Sequence, residues 1–437
     1  MPDRNKIPNL GKPTKLELKQ PECLTLGNGV EAFIIDAGDE AVTRVDLVIQ
    51  AGSVQQKKKL VANTVGQLLR EGTKRFNSKQ LAEKLDYYGA YFDVNTSKES
   101  STLTLFSLTK HLPELLPLMS EMLNEAIFPE EELKIHLERG KQEFLVDIEK
   151  VGYKASLEFN QLIFGKNTAY GQLLELDDFD SLERADLLDY YKRYFVPEKS
   201  YLILSGKVDE SVRNLANKYF GNGWRKGSRF PNTELNYSTI NAIKEQFVEK
   251  KGSLQSAIRI GRQMVDKQHP DYNRFVLLNT ILGGYFGSRL MSNLREDKGY
   301  TYGINSFVAN YLHSGYFAVA TEVNAEHTAA ALDEIYKEIK ILREKRVGIE
   351  ELKLVKNYIY GSFLRTFDGP FALAEGFRAI KNFELSFDYY QKSLKEILMT
   401  DADQLIETAN KYLQVDDLYR LVVGEMGKGV VSGDSLG

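Results

Sequence analysis

Apolar and polar positions divide the first half of the chain into short alternating stretches and longer stretches of helical period. Alternation is typical of strands that bury one face, and recurrence every three or four residues is typical of amphipathic helices. Asn77 directly precedes one helical stretch and predicts an N-cap. We predict strands within 24–35 and at 42–50, 91–95, 103–107 and 201–205, and helices at 62–70, 78–85, 111–123, 129–148, 187–195 and 211–220.

The same order of elements begins again after a segment without apolar periodicity. Glycine, proline, asparagine and serine cluster at 221–238, which predicts a linker. The predicted organisation is an extended arm at 1–20, a first domain at 21–220, a linker at 221–240 and a second domain at 241–437. In the second domain we predict strands at 245–249, 256–262, 300–304, 316–321 and 418–423, and helices at 272–282, 328–343, 350–366, 372–382, 389–398 and 402–412, with a short helix ending near 295.

The two halves also share sequence. Several residues of the helix at 129–148 recur at one constant offset in the helix at 350–366, namely Glu131-Glu132-Leu133 as Glu350-Glu351-Leu352 and Phe144-Leu145 as Phe363-Leu364. Self-similarity over so long a period indicates duplication of a whole domain. We therefore predict an α+β protein of two similar domains, each an antiparallel sheet with helices packed on one face.

Candidate chemistry is concentrated in the stretch 282–303, LGGYFGSRLMSNLREDKGYTYG. A glycine-rich turn leads into a short amphipathic segment that carries Arg295, and Tyr302 follows on a predicted strand. A guanidinium and a phenol held close together can donate several hydrogen bonds to one carbonyl oxygen. From spacing alone, the favoured interpretation is different: Arg295 forms a surface ion pair, and Tyr302 packs in a core.

The order and spacing LGG…SRL…LRE…GY.Y resembles the C-terminal-domain motif of the M16 metallopeptidases, the group of pitrilysin, insulysin and the mitochondrial processing peptidase. The resemblance extends from about 24 to 423 and implies the duplicated M16/LuxS-like fold. In that family an arginine, and a tyrosine seven positions later, reach the zinc-bound substrate from the opposite half of a clamshell. Those positions are Arg295 and Tyr302 here. The resemblance also puts Gly283, Gly284 and Ser288 in a loop on the substrate side.

The same resemblance implies a zinc motif, His-x-x-Glu-His, before the sequence REGT in the first half. In such a motif two histidines bind the metal and the glutamate acts as general base. Here Asn63 and Gln67 stand at the histidine positions, and Gly66 stands at the position of the base. The third-ligand position falls near Asp147. Amides are poor zinc ligands beside imidazole, and glycine offers no base, so we expect no metal in this chain.

Other catalytic centres find little support in the sequence. The five histidines, His111, His136, His269, His313 and His327, are isolated from one another, which favours structural or surface roles. A net charge of −4 argues against a nucleic-acid partner. The single Cys23 fits a reducing compartment, and no apolar run approaches the ~20 residues of a membrane span. We predict a cytoplasmic location, or a periplasmic one if a signal has been trimmed.

The resemblance leads to one expected function. Some M16 proteins work as heterodimers, in which one subunit carries the zinc motif and the other contributes the arginine and tyrosine. We expect this chain to be the non-catalytic subunit of a zinc endopeptidase, inactive alone, with the zinc in an M16 partner and an unfolded peptide as substrate. Two alternatives stay open: a structural core subunit without a peptidase role, and a peptide-binding, chaperone-like module.

Overall fold

The computed structural model describes residues 18, 20–224 and 234–425. The predicted fold class is confirmed: the chain forms two similar α+β domains, each with its own sheet. Most of the predicted N-terminal arm, and residues 225–233 of the predicted linker, lie outside the described residues.

Within the described residues, the N-terminal half contributes six strands and eight α-helices. The strands are β1 Glu22–Thr25, β2 Glu31–Asp36, β3 Val42–Ile49, β4 Tyr91–Thr96, β5 Ser101–Leu108 and β6 Ser200–Gly206. The helices are α1 Val61–Leu68, α2 Ser78–Tyr87, α3 Leu112–Glu125, α4 Glu130–Asp147, α5 Val151–Phe164, α6 Asp177–Ser181, α7 Arg184–Tyr194 and α8 Glu210–Ala216. Asn77 caps α2 as predicted, because its side chain accepts the backbone N–H of Gln80.

The C-terminal half contributes five strands and six α-helices in its described part, 234–425. The strands are β7 Glu245–Glu249, β8 Gln255–Met264, β9 Thr301–Asn310, β10 Gly315–Asn324 and β11 Tyr419–Gly424. The helices are α9 Tyr272–Leu282, α10 Thr328–Glu344, α11 Ile349–Thr366, α12 Pro370–Lys381, α13 Asp388–Met399 and α14 Ala402–Tyr412.

The two sheets have equivalent topology. The first has the order β1-β2-β6-β3-β5-β4 and the second has the order β7-β11-β8-β10-β9, so the second repeats the first without β1. One detail differs from the prediction of antiparallel sheets. β2 pairs with β6, and β7 pairs with β11, in parallel, while the other neighbours are antiparallel. The duplicated helices α4 and α11 are each 18 residues long, which matches the repeat found in the sequence.

The helices cover both faces of each sheet rather than one face. One face of each sheet packs against helices of its own half. The other face packs against a helix from the opposite half: α5 lies on β8 and β11, and α12 lies on β2 and β6. We refer to this arrangement as the helix exchange. Helix α5 is absent from the elements predicted above, although its buried residues Val151, Ala155 and Phe159 recur at helical spacing.

An arginine on the central strand of each sheet contacts the exchanged helix. Arg44 on β3 pairs with Asp46 beside it and with Glu375 on α12. Arg259 on β8 donates to the backbone oxygen of Gly152 in α5 at 3.1 Å. These polar contacts add directional interactions to the apolar packing of the exchanged helices.

Candidate functional site

Arg295 projects from a wide turn between α9 and β9. The segment Met291–Asp297 is π-helical rather than the predicted α-helix, and Gly299 takes a left-handed conformation, φ 67°, before β9 begins. π-Helical turns are rare and often occur at functional sites. The guanidinium carbon of Arg295 lies 4.8 Å from the centroid of the Phe286 ring. Among the described residues, Arg295 has no hydrogen-bond or ion-pair partner.

Tyr302 is the second residue of the edge strand β9. Its side chain is 94% exposed and has no hydrogen-bond partner within the described part of the chain. It borders an open pocket of about 460 Å³ on the sheet face that also receives α5. The pocket walls include Arg259 and Glu322. Burial lowers the pKa of Arg259, and the nearby carboxylate of Glu322 opposes that change. Neither the core position nor the surface ion pair favoured by spacing alone describes these two residues.

The glycine-rich turn is held against the edge of β9. The backbone oxygen of Gly283 accepts the backbone N–H of Ser306 at 2.9 Å. The side-chain amide of Asn279 donates to the backbone oxygen of Ser306 at 3.3 Å. A Cβ at position 283 would lie only 2.7 Å from the Ser306 nitrogen, so the close approach requires glycine. Gly284 is exposed, whereas Ser288 is buried at 1% exposure.

Two further contacts fix the turn to α11. The Tyr285 ring lies 4.8 Å from that of Tyr358, and Arg289 donates two hydrogen bonds of 2.8 Å to Glu351. Arg289 therefore has its Nε and Nη2 groups engaged in an ion pair, in contrast to Arg295 six positions later. Arg295 and Tyr302 share no hydrogen bond in the described ranges, so any joint action would require a ligand between them.

The positions that correspond to the zinc motif lie in α1, beside the edge strand β4. Asn63 is exposed, and the Gln67 amide donates to the backbone oxygen of Val94 at 3.2 Å. A Cβ at Gly66 would lie 2.7 Å from Thr96 Oγ1 and 3.1 Å from Val94 Cγ1. The position of the base is therefore closed by β4 as well as lacking a side chain.

These residues do not fit a zinc ion. Asp147, at the end of α4, pairs with Lys150 at 2.7 Å, and no hydrogen bond joins it to Asn63 or Gln67 in the part of the chain described. No group of three potential metal-binding side chains occurs within 20–224 and 234–425.

The histidines have structural surroundings. His111 precedes α3 with its ring 5.2 Å from that of Tyr88, and burial lowers the pKa of His136 in α4. The other three contact neighbours directly: His269 accepts the N–H of Asp271, His313 stacks on Tyr237 and His327 stacks on Tyr300. Because its ring stacks on His327, Tyr300 differs from Tyr302, whose side chain is exposed.

Two segments of the chain match models of known protein families. Residues 33–157 match the family model for the insulinase-type M16 peptidases, and residues 181–359 match the model described as the peptidase M16 inactive domain. Together the two matches cover more than half of the chain. The chain belongs to the M16 peptidase family.

Individual M16 relatives are distant in sequence. A Bacillus subtilis protein named "Uncharacterized zinc protease YmxG" is 22% identical, over 78% of this chain and 83% of its own length. A Helicobacter pylori protein named "Non-peptidase homolog YmxG" is 26% identical, over 71% and 72%. The beta subunit of the mitochondrial-processing peptidase of Saccharomyces cerevisiae is 21% identical, over 76% and 75%.

Solved structures of the M16 family share the fold. A Pseudomonas fluorescens structure described as a peptidase M16 inactive domain superposes with a TM-score of 0.83 at 21% identity, over 93% of this chain and 98% of its own. A protease from Helicobacter pylori also reaches 0.83, at 18% identity, over 93% and 100%. Within the described residues, none of the helices combines the length and apolar character that crossing a membrane requires.

Phe286 and the pocket beside Tyr302 were not found by sequence reasoning. The sequence shows Phe286 only as an aromatic residue within the glycine-rich sequence GGYFG, and this pattern does not distinguish an exposed ring from a buried one. The pocket residues Arg259 and Glu322 come from two different strands, and their approach depends on sheet register.

Proposed function

We propose that this M16 protein is the non-catalytic subunit of a two-subunit zinc endopeptidase, with the predicted domains 21–220 and 241–437 enclosing part of the peptide chamber. The proposal rests on one contrast. The α1 positions of the zinc motif cannot hold a metal, whereas Arg295 and Tyr302 have no hydrogen-bond or ion-pair partner among the described residues. Unpaired donors of this kind suit the binding of a peptide oxygen.

In the proposed complex the partner is an M16 homologue with an intact His-x-x-Glu-His motif. The zinc-bound water of that partner attacks the peptide bond. Arg295 and Tyr302 hydrogen-bond the oxygen on which negative charge develops, and such stabilisation acts mainly on the transition state. The relatives named as processing-peptidase beta subunits favour a multi-subunit assembly.

The test is reconstitution. This chain and a zinc-bearing M16 homologue from the same organism are produced together, and zinc-dependent cleavage of a quenched-fluorescent unfolded peptide is measured. We expect no cleavage by this chain alone. We expect Arg295→Ala and Tyr302→Phe each to lower kcat ~10²–10³-fold without affecting assembly. Tyr300→Phe is the matched control, because the Tyr300 ring stacks on His327.

Two results would overturn the proposal. If the complex cleaves peptide at the wild-type rate with both variants, Arg295 and Tyr302 are structural and the chain is a scaffold. If no zinc-bearing homologue associates with the chain while it binds labelled casein, an unfolded polypeptide, the chaperone-like alternative is correct.

A further inference from the structure

Phe286 is a large apolar residue in an unusual position. Its side chain is 63% exposed and lies between the glycines of the turn. Burial of a phenylalanine side chain normally adds substantially to the free energy of unfolding. Because the Phe286 ring is mostly exposed, it adds little. Its recorded ring contact in the described structure is with the guanidinium of Arg295, at 4.8 Å.

The turn that carries Phe286 is held by three contacts, one with β9 and two with α11. Gly283 is bonded to Ser306 on β9, and Tyr285 packs on Tyr358 of α11. Arg289 then ties the end of the turn to α11 through Glu351. Phe286 is the exposed non-glycine residue between these attachments, so its backbone is fixed although its side chain faces solvent.

A ring placed over a guanidinium restrains it without using its donors. The guanidinium carbon of Arg295 lies over the Phe286 ring, and a cation over an aromatic face is attracted by the ring without a hydrogen-bond acceptor being engaged. A salt bridge would hold the side chain equally well but would occupy the donors, as in the Arg289–Glu351 pair. The contact with Phe286 therefore leaves Arg295 ordered and able to bind.

We propose that Phe286 is a positioning residue for Arg295, which keeps the guanidinium oriented toward a peptide oxygen while leaving all its N–H donors available. This inference rests on the proposed function for its effect on catalysis. Its structural premise, that the ring restrains Arg295, does not depend on any partner or substrate.

The structural premise is tested on the isolated full-length chain by nuclear magnetic resonance of the arginine Nε–H groups. We expect the Arg295 Nε–H to be as ordered as that of Arg289 in the wild type and to become mobile in Phe286→Leu. Phe286→Trp should preserve the order, because it keeps an aromatic face. Equal mobility of Arg295 in all three proteins would overturn the inference.

The functional effect is tested by a double-mutant cycle in the reconstituted complex, with the quenched-fluorescent peptide as probe. We expect Phe286→Leu to lower kcat ~10-fold with little change in KM, and Phe286→Trp to restore most of it. In an Arg295→Ala background, Phe286→Leu should cause no further loss. Phe76→Leu is the control, because Phe76 lies 5.0 Å from Arg75 in a similar contact on the other half.

The outcomes separate the two proposals. If Arg295→Ala reduces kcat and Phe286→Leu causes the same loss with or without Arg295, the proposed function stands and the positioning role is wrong. If Arg295→Ala itself has no effect on cleavage, the proposed function fails, and so does the catalytic part of this inference, while the resonance experiment still decides whether the ring orders Arg295.

Discussion

Glu99 of the N-terminal half accepts the backbone N–H of Leu312 of the C-terminal half at 2.8 Å. The two residues lie in the β4–β5 and β9–β10 hairpins, which are equivalent in the duplicated fold. Tyr170 reinforces the contact, because its hydroxyl donates to Glu99 and accepts the N–H of His313. Equivalent hairpins thus meet each other at the boundary between the halves.

Removing the Glu99 carboxylate should weaken the attachment between the halves. We expect Glu99→Ala to lower the free energy of unfolding by ~1–3 kcal/mol, since both the Leu312 N–H and the Tyr170 hydroxyl lose an acceptor. Glu99→Gln keeps an acceptor and should cost less. Urea unfolding followed by circular dichroism measures both, and equal stability of Glu99→Ala and wild type would contradict the assignment.

The Arg44–Glu375 pair makes the attachment of α12 sensitive to acid. Burial raises the pKa of Glu375, but Arg378 and Arg44 outweigh that effect and hold it below its ordinary value. The unfolded chain therefore binds a proton at higher pH than the folded protein. This contribution to stability is complete above the ordinary value of 4.5 and is lost as the pH falls through the folded-state pKa.

Because the Glu375 side chain is 43% exposed and solvent screens its ion pairs, we expect Glu375→Gln to lower the free energy of unfolding by ~0.5–1 kcal/mol at pH 7 and by progressively less on acidification. Denaturant titrations at several pH values from neutral to acidic provide the measurement. The control is Glu138→Gln, which alters an exposed carboxylate of α4. A wild-type-minus-variant difference that stays constant with pH would refute the prediction.

Restoring the zinc motif in α1 should not simply restore a metal site. A side chain at Gly66 meets Thr96 and Val94, so Gly66→Glu should destabilise the protein by ~1–3 kcal/mol through overpacking. Asn63→His, at an exposed position, should change stability little. Thermal unfolding distinguishes the variants, and adding Thr96→Ala should recover part of the loss. A fully stable Gly66→Glu protein would show that β4 does not close the site.

Gly152 and Gly283 both lie where an added Cβ would meet a neighbouring atom. The shorter of the two contacts, at Gly152, should cost less stability. A Cβ at Gly152 would lie 1.9 Å from Glu322 Oε1, and a Cβ at Gly283 would lie 2.7 Å from the Ser306 nitrogen. The Glu322 carboxylate is the end of a flexible, exposed side chain and can move, whereas the β9 backbone cannot.

We expect Gly283→Ala to cost ~1–3 kcal/mol of unfolding free energy and Gly152→Ala to be close to neutral, because alanine also favours the helix. Chemical denaturation of both variants gives the ranking. If Gly152→Ala proves the more destabilising, Glu322 is fixed more firmly than its exposure indicates.

Periodicity predicted the local elements well. The strand Glu245–Glu249 and the helix Tyr272–Leu282 have the predicted bounds, and the repeat correctly paired the helices α4 and α11. These features depend on residues close together in the chain. The parallel strand pairs and the helix exchange depend on contacts between distant segments, to which hydrophobic spacing is insensitive.

The candidate site shows the same division. The sequence revealed the replacements at Asn63, Gly66 and Gln67, because residue identity alone decides whether a metal ligand is present. It did not reveal that Thr96 closes the space beside Gly66, nor that Phe286 lies against Arg295. Both facts arise where a neighbouring strand or turn meets the residue in three dimensions.

The helix exchange makes the protein an intramolecular counterpart of a domain-swapped dimer. One helix of each half packs on the sheet of the other half. A half produced alone would expose an apolar sheet face and a helix with nothing to pack against, and such surfaces promote association. Separated halves should therefore associate with each other or with a second copy of themselves. In the intact chain, the two sheets should unfold as a single cooperative unit.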